Sequence, residues 1–479
     1  MDPSLPVSPL FISSNSTMVR PDVTPDAPVD EQPTIGLIGM GAMGKLYANC
    51  LSAAGWKRIN VCDTPEMYES LRAAYQDTPG INVLPNGHYV SRTSDFIVYS
   101  VEAKGIHDVV AEYGPSTKVG AIVGGQTSVK EPERAAFEKH LPEDVHIVSL
   151  HSLHGPTVPT KGQPLVLIKH RAPNDALALV ESILRPLQSR YVYLSYEEHD
   201  EVTANTQAVT HAAFLSMGTA WASAASYPWE HGYYVGGIET VKVNIVLRIF
   251  SNKWHVYAGL AILNPAARRQ IKQYAQSTTD IFKLMLAADE KGLRKRLYDA
   301  KDAVFHDAQN SSRRPILLSE SVLDQFGLSK KDPSTKCSRP LANSHLSLLA
   351  MVDCWAHLGL NPFKHLELAA TPIFRMWFGV AEYLFWTPER LEAAIQSALY
   401  DVSHRYDDVE FVVASRGWSQ CVSFGDFDLY RVRFEETAAF FESRFEEGGR
   451  VGSEMLKVIM DSSTEQQDST HVPVVDKQS

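Results

Sequence analysis

Thr34-Ile-Gly-Leu-Ile-Gly-Met-Gly-Ala-Met-Gly44 is the stretch that decides the fold. A short apolar run leads straight into the spacing Gly39-x-Gly41-x-x-Gly44. Met43, Leu46, Tyr47, Cys50, Leu51 and Ala54 then recur at helical intervals until Gly55. This is strand, tight turn and helix. Gly39 permits the turn, Gly41 removes the Cβ that would stand between the backbone and a pyrophosphate, and Gly44 lets the helix pack close to the strand. The free N–H groups at the helix start, with Met40, Ala42 and Met43 in the loop, then face the phosphates of a dinucleotide. Three glycines also make ordinary βα turns, so the reading leans on the next strand as well. That second strand, over 59–63, ends in Asp63, about twenty residues beyond the glycines, where such folds contact the adenosine ribose.

Outward from this unit, short apolar runs at 95–101, 119–123, 145–150, 164–168 and 191–194 alternate with helix-like segments. Strands apolar on both faces belong in a parallel sheet covered by helices on both sides. Ligands sit beyond the carboxyl ends of such strands. That places Ser100, Val101, the loop 124–128 and the loop 151–156 near the nicotinamide end of a bound cofactor. From about residue 197 strand signals become rare and helical periodicity continues to about 460. The expected architecture is an α/β Rossmann-type N-terminal domain with a mostly parallel sheet (34–195) followed by an all-α C-terminal domain (196–460). The proline-rich segment 1–33 and the polar tail 461–479 are expected to be disordered, and 327–341 is expected to be a mobile connection between helices.

Acidic residues outnumber basic ones, 56 to 45, for a net charge of -11, which disfavours nucleic acid or an anionic membrane as a broad-surface partner. An anionic ligand must therefore meet a local cluster of basic groups. The five cysteines are scattered without CxxC spacing and read as buried free thiols of a reducing compartment. No signal pattern precedes the first strand, and apolar runs are broken by charges, so the expectation is a cytoplasmic protein.

Four places carry chemistry. Ser128 ends a glycine-containing loop, though Ser128-Val-Lys-Glu131 is also a capping box that any helix start would use. His151 and His154 lie at the end of an apolar strand, and imidazole is well suited to accept a proton near neutral pH. A metal site is not expected, because a third ligand at the usual spacing is missing. Thr203, Gln207 and His211 form a polar stripe on an apolar helix, and Asn244, Arg248 and Asn252 share a face of another. Each stripe faces polar groups of a neighbouring helix or a ligand, and Arg248 suits a structural ion pair as well as a carboxylate clamp.

The blocks Ser100-Val-Glu-Ala103, Val123-Gly-Gly-Gln-Thr-Ser128, His151-Ser-Leu-His-Gly-Pro156, Tyr196-Glu-Glu-His-Asp200 and Thr206-Gln-Ala-Val-Thr-His211, with others out to about residue 460, resemble the fungal-type prephenate dehydrogenase family of tyrosine biosynthesis. The resemblance implies oxidative decarboxylation of prephenate to 4-hydroxyphenylpyruvate. It makes His151 the catalytic histidine and Ser128 its neighbour at the substrate hydroxyl. It places His211 and Gln207 along the substrate pocket and Arg248 on a substrate carboxylate. Ser152 stands where bacterial members have proline, and His154 is additional. A dimerising helical domain and sensitivity to tyrosine are further implications. On cofactor choice the signals oppose one another. Asp63 favours a free ribose hydroxyl and hence NAD, whereas the fungal resemblance implies NADP, with Lys57, Arg58 or Arg72 available to offset the acid. NADP is the expectation and NAD the alternative. Competing functions are an arogenate or other β-hydroxyacid-type dehydrogenase and a non-catalytic NADP(H) sensor.

Overall fold

The computed structural model describes residues 19–234, 236–309, 323–328, 343–369 and 372–468. Strand β1 (Ile35–Ile38) enters helix α1 (Ala42–Ala53), and β2 (Ile59–Cys62), α2 (Tyr68–Tyr75) and β3 (Ile81–Val83) complete one side of the sheet. The chain then crosses through α3 (Gly87–Thr93) to β4 (Phe96–Tyr99), α4 (Ile106–Tyr113), β5 (Ile122–Gly125), α5 (Glu131–His140) and β6 (His146–Ser152). Strands β7 (Pro164–Arg171) and β8 (Arg190–Tyr193) flank α6 (Asn174–Leu184). The eight strands lie in the order β3-β2-β1-β4-β5-β6-β7-β8. All neighbours are parallel except β6 and β7. β1, β2, β4 and β5 are buried at every position because helices cover both faces, which is why their sequences read as uninterrupted apolar runs.

One core layer joins α1 and α6 to the sheet around Tyr47, Leu51, Trp56 and Ile183. Another joins α4 and α5 around Ile106, Val110 and Phe137. Beyond β8 the described residues are helical. Helix α7 (Tyr196–Thr203) begins at a capping box in which Ser195 and Glu198 exchange hydrogen bonds. It passes through a π turn, Ala204–Ala208, into α8 (Val209–Ser223). Helices α9 (Gly237–Phe250), α10 (His255–Leu263) and α11 (Pro265–Leu286) come next. Together with the later helices they enclose one large core containing Phe214, Trp221, Trp355, Trp377 and Trp418.

Four expectations are corrected or bounded. Residues 20–32 are not a free tail: they make successive turns, and Val23, 2% exposed, packs into the core beneath α1. The C-terminal helix, Phe445–Asp468, runs past residue 461 instead of stopping there. The three-residue edge strand β3 and the helix Arg405–Phe424 were not among the anticipated elements. An edge strand so short shows no periodicity, and the helix carries apolar residues on its outward face that blur its stripe. Most of the expected connection at 327–341 lies outside the described residues, as does Cys337, and the other four cysteines are free.

Candidate active site

The glycine-rich loop has the geometry its spacing implies. Gly39 has φ +100, and a Cβ there would lie 2.3 Å from the Ser100 carbonyl oxygen. A Cβ on Gly44 would lie 2.2 Å from the Gly39 carbonyl, so α1 approaches the turn closely only because both are glycine. Gly41 differs: nothing stands within 4 Å of where its Cβ would be. Gly41 and Ala42 are exposed, and no side chain caps α1. This leaves N–H groups at the helix start for an anion, and the cradle fits a pyrophosphate. Ser100 lies against Gly39 and half-buried Val101 is next in the chain, so the β4 loop forms the opposite lip.

Asp63 stands at the end of β2, but both its oxygens already accept amide protons, from Met40 at 2.8 Å and Thr64 at 2.8 Å. It fastens the glycine loop to β2, and these donors temper the repulsion a 2'-phosphate would meet. The notion that Lys57 or Arg58 offsets the acid is overturned. Both precede β2, at the far end of the sheet, where Arg58 donates to the Gln32 carbonyl and the Lys57 amide to the Gln32 side chain. Arg72 is on α2, paired with Glu69 at 3.7 Å.

The loop after β5 is organised around charges buried beneath it. Lys130, fully buried, donates to the carbonyls of Gly125 and Leu150 and to both oxygens of Glu133, each at 2.9 Å. Glu133 also accepts from Thr127 Oγ1 and Ser149 Oγ, each at 2.6 Å. Every donor of the ammonium and both carboxylate oxygens are thus engaged, the condition under which a buried ion pair is tolerated. Burial lowers the Lys130 pKa, and Glu133 opposes that shift. The capping box expected at Ser128 does not form, because α5 starts three residues later at Glu131 without a side-chain cap from its own segment. The cap comes from α7: the Asp200 carboxylate accepts the Lys130 N–H at 2.8 Å and the Glu131 N–H at 2.9 Å. Ser128 is left half-buried at the loop surface.

His151 ends β6 and is 7% exposed. Its Nδ1 lies 2.7 Å from Nε2 of fully buried His199, whose Nδ1 lies 2.9 Å from Asp200 Oδ1. Burial holds both imidazoles well below the ordinary histidine pKa; His199, Lys130 and His154 add to the effect on His151, and Lys130 to that on His199. Ser152, in the place of the bacterial proline, shares a 2.7 Å hydrogen bond with the Tyr47 hydroxyl of α1, tying the strand of His151 to the helix of the glycine loop. His154 bonds its neighbouring Gly155 carbonyl through Nδ1, while its Nε2 is sealed and without a partner.

Across the cleft, His211 on α8 packs edge-on against Tyr257 of α10 with ring centroids 4.8 Å apart. Its Nδ1 is buried without a partner, and burial lowers its pKa to about 4. The two share a cavity enclosing about 240 Å³, with Ala208, Trp418 and Tyr430 among its walls. Half-buried Arg248 interacts electrostatically with Tyr257 and, among the described residues, has no carboxylate partner. The Tyr257 hydroxyl accepts from Asn252 at 3.1 Å, so Tyr257 links the two polar stripes. Thr203 and Asn244 leave the stripes for structural work. Thr203 donates to the Asp200 carbonyl, and Asn244 donates to the carbonyls of Thr240 and Phe326. Gln207 sits half-buried in the π turn, a distortion frequent at functional sites.

The structure therefore gathers Ser128 and His151 through Asp200, and His211 and Arg248 through Tyr257. The connectors His199, Asp200 and Tyr257 were given no individual role in the sequence. The first two lie in an acidic run that resembles a solvated helix start, and their available signal was a histidine beside an acid just ahead of a wholly apolar helix. Among the described residues, no three histidine, cysteine or acidic side chains converge to hold a metal.

A dehydrogenase that transfers hydride needs a dinucleotide cradle and, close by, a group able to take a proton. Residues 39–152 hold both, which puts the chain in the class of nicotinamide-dependent dehydrogenases. Residues 208–461 match the model of a 6-phosphogluconate dehydrogenase C-terminal domain, and 34–123 match that of NADP oxidoreductase, coenzyme F420-dependent. The chain is 52% identical over 430 residues to a probable prephenate dehydrogenase (NADP(+)) of Schizosaccharomyces pombe, covering 89% of this chain and 98% of the relative. It is 51% identical over 436 residues to prephenate dehydrogenase (NADP(+)) of Saccharomyces cerevisiae, covering 90% and 95%. A crystal structure of prephenate dehydrogenase from A. aeolicus with hydroxyphenyl propionate and NAD+ aligns with 56% of this chain and 96% of its own, at 20% identity and a TM-score of 0.45. The chain belongs to the prephenate dehydrogenase family.

Proposed function

We propose that this protein oxidatively decarboxylates prephenate to 4-hydroxyphenylpyruvate, using NADP+, in tyrosine biosynthesis. The observation that carries the reading is the placing of His151. It is a buried neutral imidazole with Nδ1 occupied, at the end of a strand bonded to the cofactor helix and beside the loop of Ser128. Prephenate has a ring carboxylate, a pyruvyl side chain and a hydroxyl on the carbon that loses hydride. Bound NADP+ supplies the hydride acceptor, held by the amides of 40–44 with Gly39 and Gly44 shaping the turn, by Asp63 at the ribose, and by Ser100 and Val101 on the facing loop. His151 Nε2 takes the hydroxyl proton, Ser128 orients the same hydroxyl, and Arg248 receives a carboxylate. His211 and Gln207 line the ring's side of the pocket. Loss of carbon dioxide makes the ring aromatic, so the protein's task is orientation and proton placement.

Finer features belong to the same proposal. Tyrosine, which shares the product's phenol and a carboxylate, competes for the wall of Arg248 and His211. A homodimer forms through the helical half, a reading supported by Tyr406, Val409 and Val413, which are 85%, 40% and 60% exposed along one side of the helix Arg405–Phe424. The free thiols support a cytoplasmic setting.

The test offers purified protein prephenate or arogenate, each with NADP+ or NAD+, and follows absorbance of the reduced cofactor. The expected result is fastest turnover with prephenate and NADP+. Absence of prephenate-dependent NADPH formation would remove the proposal.

A further inference from the structure

His199 and Asp200 touch neither the glycine loop nor the helical wall, yet their hydrogen bonds determine what His151 can do. An ionised carboxylate only accepts, and Asp200 Oδ1 lies 2.9 Å from His199 Nδ1, so that nitrogen carries the hydrogen. In a neutral ring His199 Nε2 is then a lone pair. The 2.7 Å contact from His199 Nε2 to His151 Nδ1 therefore places a hydrogen on His151 Nδ1. One arrangement satisfies all three groups, and it leaves His151 Nε2 as the lone pair for the substrate.

We propose that His199 and Asp200 are positioning residues forming a closed relay, which fixes the tautomer of His151 and stores the substrate's proton until the product's oxygen takes it back. The inference deepens the reading of the protein as a prephenate dehydrogenase and rests on it. An imidazolium on His151 would face Lys130 from the start of α5 and His154 from the adjoining loop, with no carboxylate in contact. One ring further in, an imidazolium on His199 meets Asp200 at 2.9 Å, although Lys130 also faces it. Lys130 is itself offset by Glu133 at 2.9 Å, and Asp200 also feels Arg134 of α5. The inner ring is the better seat for positive charge.

The protons balance without an exit. As the C–H electron pair leaves as hydride to NADP+, the substrate O–H bond breaks and an N–H bond forms at His151 Nε2. The His151 Nδ1–H bond breaks and an N–H bond forms at His199 Nε2. When carbon dioxide departs, its C–C electron pair enters the ring and the same oxygen becomes a phenolate. The two transfers then reverse, giving the phenol and restoring both histidines. Net proton release is zero, because one of prephenate's two carboxylates leaves as carbon dioxide while the cofactor's positive charge is neutralised by hydride. A dead-end relay suits this cycle, and His199 has no exposed surface through which to exchange its proton.

Two variants and one spectrum test the relay in the full-length protein. Histidine-selective ¹⁵N NMR of the substrate-free enzyme should show His151 protonated on Nδ1. His199→Gln keeps both hydrogen bonds, through its amide oxygen to His151 and its amide N–H to Asp200, but cannot take a proton. It should retain the His151 tautomer and the NADP+ KM within about twofold, lose about 10- to 100-fold in kcat, and turn a curved proton inventory linear. His199→Phe removes both bonds, so it should mix the tautomers and lower kcat about 10³- to 10⁴-fold. Hydrogen on Nε2 of wild-type His151 would overturn the relay. Wild-type turnover and proton inventory in His199→Gln would overturn the storage role. If the wild-type protein does not oxidise prephenate, the functional reading fails and storage with it, while the tautomer still stands or falls on the spectrum.

Discussion

The two walls of the cleft are built on opposite principles. On the sheet side polar groups are paired in depth: Lys130 with Glu133 and two carbonyls, Glu133 with Thr127 and Ser149, His151 with His199, and His199 with Asp200. On the helical side the polar groups facing the cavity are left wanting, with His211 Nδ1 buried and unpartnered and Arg248, among the described residues, without a carboxylate. A wall with every bond made holds protons in defined places. A wall with bonds missing is prepared for a ligand that brings its own oxygens. Chemistry and recognition are thereby divided between the two halves.

The sharpest way to break that division is at the base. His151→Asn should lower kcat by about 10³-fold or more with the KM for NADP+ little changed, in steady-state assays. Near wild-type turnover would remove the sheet wall from the chemistry. Next in size is the buried pair beneath it. Lys130→Met strands the Glu133 carboxylate and should cost about 3–5 kcal/mol of stability in urea unfolding. Adding Glu133→Leu should recover part of that loss, and no recovery would mean that the carboxylate is not what suffers. On the helical wall, Arg248→Ala should raise the prephenate KM by about 10- to 100-fold and leave kcat nearly intact. An equal fall in kcat would show that this wall also acts in the transition state.

The smallest effect is in the pH dependence of stability. His211 titrates at about 4 in the fold against 6.5 in an exposed chain. Between those values the unfolded chain binds the proton and the folded one does not. Stability is therefore fully present above pH 6.5 and falls as pH drops towards about 4. Burial lowers His151 and His199 in the same direction. His211→Phe should flatten this limb, read as urea midpoints at pH 7.5, 6 and 5, and an unchanged slope would place the titration elsewhere.

The same division explains what the sequence disclosed. The glycine loop was legible because backbone clearance admits one residue type, as the contacts of 2.3 and 2.2 Å at Gly39 and Gly44 show. The buried strands were legible because two covered faces leave no polar position. His211 and Arg248 stood out because polar groups on an apolar helix demand a partner. The pairing of His151 with His199, 48 positions away, was not legible, since it depends on how α7 meets the end of β6. Ser128 was misread as a helix cap for a related reason: local spacing offered a capping box, whereas the carboxylate that closes α5 arrives from 69 residues downstream. The ribose end was misjudged because Lys57 and Arg58 are near Asp63 in sequence but precede the strand whose far end carries Asp63.

That borrowed cap has an implication for modularity. Nucleotide-binding folds look like exchangeable cassettes, and the glycine loop here would survive transplantation because its geometry is internal. The acid–base apparatus would not. A cassette ending before Ser195 would carry His151 with either nitrogen free to hold the hydrogen and an α5 whose first amides point into water. Any chimera that joins this sheet to another helical partner must also import a carboxylate where Asp200 stands, or it will bind nucleotide and do nothing with it.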